Sequence, residues 1–100
     1  MMTCDLPALG QAQPRYLELR RFLGQSVQDV GELADGYALQ LPATAEAFLT
    51  VAEWITLERQ CCPFMEFALD WRPSQGLWLR LTGADGVKAM IGAAFTKPRA

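Results

Sequence analysis

From Tyr16 onward, Leu19, Phe22, Leu23, Val27 and Val30 recur at steps of three or four, the spacing that lines one face of an α-helix. Pro14 suits the first turn of that helix, where a missing N–H costs nothing, and Gly24 is its expected stop. Residues 1–13 are rich in Gly, Gln, Ala and Pro without a period and are expected to form a loose arm ahead of a single domain over 14–100. Val27–Leu33 also reads as a strand, because Asp35-Gly36 is a two-residue hairpin signal and Tyr37-Ala-Leu-Gln-Leu41 alternates cleanly.

Pro42 closes that strand, Thr44 is placed to cap the next helix with its hydroxyl, and Glu46 complements the positive end of the helix dipole. The pattern predicts a long helix through Phe48, Leu49, Val51, Ala52, Ile55 and Leu57 to Cys61-Cys62. Pro63 stops it by withholding an N–H and disfavouring helical geometry at the residue before it. Met65, Phe67, Leu69 and Trp71 then alternate with Glu66, Ala68, Asp70 and Arg72, as the buried and wet faces of a strand do. After a turn at Pro73–Gly76, Leu77, Leu79 and Leu81 alternate with Trp78, Arg80 and Thr82. Gly83-Ala-Asp-Gly86 leads into a last helix whose core stripe is Val87, Met90, Ile91 and Ala94. It is too poor in glycine and lysine to be a phosphate loop. The order predicts an α+β fold: a four-stranded, mainly antiparallel sheet with helices on one face, built from a possible duplicated strand-strand-helix unit. The other face carries Trp78, Ala38 and Ala68, an apolar patch suited to a homodimer.

Composition narrows the function. A chain of 100 residues, 51% hydrophobic and 20% charged, has room for one small globular domain. No run approaches a transmembrane span, the first residues lack the pattern of a secretory signal, and a cytoplasmic location is expected. The net charge of −2 argues against nucleic acid as a partner. The absence of histidine removes Ser-His-Asp and Cys-His catalysis and His-ligated metal sites. Glu53, Glu58 and Glu66 give no convergent acid–base cleft, and no catalytic residue or cofactor is assigned.

Three cysteines, two of them adjacent, are a poor disulfide framework, so reduced thiols are expected. The chemistry concentrates at Leu57-Glu-Arg-Gln-Cys-Cys-Pro-Phe64. Glu58 stands three and four residues before Cys61 and Cys62, one helical turn away, so two sulfurs and a carboxylate can converge on one ion. Soft donors select soft ions, which makes Cys61, Cys62 and Glu58 a candidate site for a thiophilic metal ion or metalloid. Cys4 adds a third sulfur if the arm folds back. Against this stands ordinary packing: free cysteine behaves as a small hydrophobe, Glu58 and Arg59 read equally as solvated charges, and Trp54, Phe64, Phe67 and Trp71 read as core.

Leu57-Glu-Arg-Gln-Cys-Cys-Pro-Phe64, Phe67-Ala-Leu69, and Leu77-Trp-Leu-Arg-Leu-Thr-Gly83 with Gly86-Val-Lys88 resemble the signature of a family of small uncharacterised bacterial proteins. The resemblance covers roughly residues 35–95, with Cys-Cys-Pro-Phe its most specific part. It implies no activity and carries over only Cys61 and Cys62. Three functional classes follow: a thiol-based binder of a soft metal or metalloid, a thiol redox protein in which Cys61 is resolved by another thiol such as Cys4, and a non-catalytic homodimeric interaction module with packing cysteines.

Overall fold

The structure, a computed structural model, describes residues 5–95. Helix α1 (Gln13–Ser26) is followed by strands β1 (Asp29–Leu33) and β2 (Gly36–Leu41), helix α2 (Ala45–Cys61), strands β3 (Met65–Arg72) and β4 (Gly76–Gly83), and helix α3 (Val87–Phe95). The four strands form one antiparallel sheet in the order β1-β2-β4-β3. This is the α+β architecture expected from the alternation of strand and helix patterns, with two strand-strand-helix units in succession. Among the described residues no helix is long and apolar enough to cross a membrane.

Alternation decides which face is buried. Leu39, Leu77, Leu79 and Leu81 are fully buried, and register puts Leu79 between Leu39 on one side and Leu69 on the other. The intervening Gln40, Trp78 and Arg80 lie on the opposite face, where Trp78 donates its indole N–H to the Gln75 carbonyl at 2.7 Å. The helices close the leucine face, α1 through Leu19 and Leu23, α2 through Val51 and Trp54, and α3 through Val87 and Ile91. Ala94, expected in the α3 stripe, is exposed instead. Trp71, expected in the core, is 45% exposed and leans on Phe48 with ring centroids 5.5 Å apart.

Two local expectations are corrected. The hairpin turn is Ala34-Asp35, one residue earlier than Asp35-Gly36, since Leu33 pairs with Gly36. Gly36 is required for another reason: a Cβ there would lie 1.9 Å from the Leu81 carbonyl oxygen, so only glycine admits β4 this close. Helix α1 also runs past Gly24 to Ser26, since the apolar face of the helix is buried and the glycine sits on its exposed side.

Residues 6–12, expected within a loose arm, form a 3-10 segment (Leu6–Ala12) that packs on α1 and α2. Leu9 is buried, and the Asp5 N–H donates to the Cys61 carbonyl at 2.7 Å. The physical cause is an orphan acceptor: the last carbonyls of α2 lack intrahelical donors, and an upstream backbone N–H satisfies one of them. Cys4 lies outside the described residues, as do residues 96–100 of the domain expected over 14–100.

Candidate metal centre at the end of α2

Helix α2 starts where the Thr44 hydroxyl accepts the Ala47 N–H at 3.1 Å, as its sequence requires. Its buried positions are Ala47, Val51, Trp54, Glu58 and Cys61, a stripe advancing by four, three, four and three. A carboxylic acid therefore occupies a core position. At the C-terminus the Cys62 N–H donates to the Glu58 carbonyl at 2.7 Å, and the chain then turns so that the Met65 N–H reaches the Cys62 carbonyl at 3.2 Å. Proline at 63 leaves the backbone no helical alternative.

Three donor groups meet there. The sulfurs of Cys61 and Cys62 are 3.9 Å apart, and Cys61 Sγ lies 3.8 Å from Glu58 Oε1. One ligand atom from each of Glu58, Cys61 and Cys62 lies within 4.8 Å of the other two. The Cys61 thiol is also 3.5 Å from the Glu58 carbonyl. The other carboxylate oxygen, Oε2, accepts the Tyr16 hydroxyl of α1 at 2.5 Å. The spacing rule that placed Glu58 within reach of both cysteines holds.

The access expected for the sulfurs does not. Cys61 and Cys62 are both 0% exposed, and Glu58 is 4% exposed, so neither thiol faces solvent and Glu58 is not a solvated helix charge. Arg59, by contrast, points outward. The expectation of reduced thiols holds for Cys61, which is free; Cys62 is disulfide-bonded.

Burial governs the electrostatics. Desolvation pushes the Glu58 carboxyl above the ordinary carboxylate range, with the Tyr16 hydrogen bond and the charge of Arg20 opposing it. Desolvation and the neighbouring Glu58 push the Cys61 thiol up to about 11. Tyr16 is raised as well, by burial first and by its bond to Glu58 second. The Cys61 thiol thus holds its proton at neutral pH and is no activated nucleophile.

A cavity of about 110 Å³ opens beside the cluster, at the meeting of α1, α2, α3 and the start of β3. Tyr16 and Glu58 form its polar wall, and Met65, Met90 and Phe95 much of its apolar wall. At its edge Arg20 donates to the Ala94 carbonyl at 3.1 Å and stacks over the Phe95 ring, 4.2 Å from the centroid. Sequence reasoning missed Tyr16, Arg20, Met65 and Met90 as neighbours of the cysteines. They come from other elements, and helical spacing along α2 carries no information about them. The burial of Glu58 was legible in the 47-51-54-58-61 spacing.

No protein-family profile, curated protein or solved structure matches the chain. The functional reading accordingly rests on this geometry.

Proposed function

We propose that the protein, with Cys62 reduced, binds a thiophilic metal ion or metalloid through Cys61, Cys62 and Glu58. The observation that carries this reading is the spacing of the donors. Two sulfurs each about 2.3 Å from a tetrahedral ion stand about 3.8 Å apart. Here they stand 3.9 Å apart, with the carboxylate oxygen 3.8 Å from one of them. The ligands need little rearrangement, which lowers the cost of closing them on an ion.

The raised thiol is consistent with such a role. A bare thiolate is disfavoured at Cys61 by burial and by the Glu58 charge, and the negative end of the α2 dipole adds to the effect. A cation reverses each of these: it displaces the thiol proton, is attracted by the carboxylate, and is favoured by the helix end. Reduction of the Cys62 disulfide takes two electrons and two protons from a dithiol, which becomes a disulfide, or two electrons from a phosphine and two protons from water, the phosphine leaving as its oxide, so a reducing compartment such as the cytoplasm would keep the centre competent.

The test is titration of phosphine-reduced protein with Cd(II), followed by thiolate charge-transfer absorbance and the melting temperature. One equivalent is expected to produce the band and raise the melting temperature, by preferential binding to the folded state. Cys61→Ser with Cys62→Ser is expected to abolish both changes, and their persistence in that variant would refute the reading.

A further inference from the structure

The cavity bordered by α1, α2, α3 and β3 carries opposite charge chemistry in one small space. Its volume of about 110 Å³ is walled by Met65, Met90 and Ile91, with Tyr16 and Glu58 as polar wall and Arg20 at the edge. A void of about 150 Å³ lined only by aliphatic and aromatic groups stays dry and takes benzene. This one is smaller and is lined by a carboxyl, a phenol and a guanidinium, so it suits a polar molecule of few atoms.

The decisive group is Arg20. Among the described residues Arg15, Arg72, Arg80 and Lys88 each reach a carboxylate, and Arg21 and Arg59 are exposed. Arg20 is half-buried and forms no ion pair with any described carboxylate. One of its N–H groups is held on the Ala94 carbonyl at 3.1 Å and its plane lies over the Phe95 ring, 4.2 Å from the centroid, which leaves other N–H groups of the fork for an anion. A guanidinium fixed ahead of binding is a preorganised receptor for a carboxylate, which it grips with two parallel hydrogen bonds. Glu58 makes the opposite demand. It is 4% exposed, it lines the same space, and the charge of Arg20 is felt at its carboxyl. A simple carboxylate here would meet Arg20 but face the like charge of Glu58, and a simple amine would meet Glu58 but face Arg20. A molecule with an ammonium and a carboxylate a few bonds apart satisfies both.

We propose that the cavity binds a free α-amino acid with a small side chain, of the size of glycine or alanine, its carboxylate on Arg20 and its ammonium on Glu58. Met65, Met90 and Ile91 face the side chain and set the size limit. The proposal goes beyond the metal reading and does not depend on it; the two share only Glu58.

The experiment titrates the full chain, in EDTA and without reductant, with glycine, L-alanine, acetate, methylammonium and L-tryptophan, and follows the methyl resonances of Met65, Met90 and Ile91 by NMR. Glycine or L-alanine is expected to shift these methyls saturably with a Kd below about 10 mM, within the reach of a ligand of so few atoms. Acetate, methylammonium and tryptophan are expected to bind about tenfold more weakly or not at all. No saturable shift with either amino acid, or any of the other three bound as tightly, overturns the proposal. Arg20→Gln and Glu58→Gln are each expected to weaken L-alanine by about tenfold or more, the loss of one charge-assisted contact, and an unchanged Kd in either overturns it. If a variant does not melt cooperatively, the ligand series on the parent chain decides. No metal is present, so the outcome stands apart from that of the Cd(II) titration.

Discussion

The leucine layer of the sheet and the seam between α1 and α2 are equally sealed from water, but they are held by different physics. Leu79 is paired across the sheet with Leu39 and Leu69, and stability there scales with the apolar surface removed from water. At the seam a tyrosine hydroxyl, a carboxyl and a thiol occupy the same kind of space and satisfy one another. The leucines of the first region carry no titratable group. In the second, burial penalises charge, which raises the Glu58 carboxyl and holds the Cys61 thiol proton. A small domain can thus place responsive chemistry in its core, provided each polar group has a partner.

The comparison is sharpened most by Leu79→Ala. Leu79 is fully buried beneath the helices and flanked in the sheet by Leu39 and Leu69, so the vacated volume collapses poorly, and a loss of about 2–5 kcal/mol in chemical denaturation is expected. A loss much below that range would mean that the layer is no tighter than the seam. Tyr16→Phe comes next. It preserves the ring but leaves the buried carboxyl short of a donor, a cost of about 1–3 kcal/mol. It also raises Glu58 and Cys61 further, since the Tyr16 hydrogen bond lowers both.

The third test is the pH dependence. An unfolded thiol ionises near its ordinary value of 9.0, while folded Cys61 holds its proton to about 11. The Cys61 contribution is complete below pH 9 and is lost as pH rises towards 11, because the unfolded chain binds fewer protons across that window. Glu58 has the same sign at lower pH. Its contribution is complete below the ordinary carboxylate value of 4.5 and fades as pH rises through the higher folded value. Denaturation curves of Glu58→Gln against the parent should therefore converge at acid pH and separate in the variant's favour towards neutrality. Parallel curves would show that burial does not govern this carboxyl.

The smallest effect is expected at Arg15 and Glu53, whose 2.7 Å ion pair joins α1 to α2 on the exposed surface near the seam. Water and salt screen it, so Arg15→Ala should leave the melting temperature nearly unchanged in high salt. A marked drop there would place part of the seam's stability outside its buried core.

Legibility in the sequence followed the range of the interactions. The fold class was readable because period-two leucines and a capped helix stopped by proline are local signals, each confirmed at Leu77–Leu81 and at Thr44–Cys61. The turn was misplaced by one residue because Gly36 is required by the close approach of β4 rather than by turn geometry. Glu58 with Cys61 and Cys62 was readable from helical spacing. Tyr16, 42 residues from Glu58, was not, since only tertiary packing brings α1 alongside α2. The 3-10 segment was hidden for the same reason: its order depends on a carbonyl 56 residues downstream, from Asp5 to Cys61.

That tie between Asp5 and Cys61 couples the backbone ahead of the 3-10 segment to a residue whose thiol is sealed from water. An alkylating reagent reaches the Cys61 sulfur only during excursions that open this end of the molecule. The labelling rate of one thiol is therefore a gauge of how often this end of the central helix comes open.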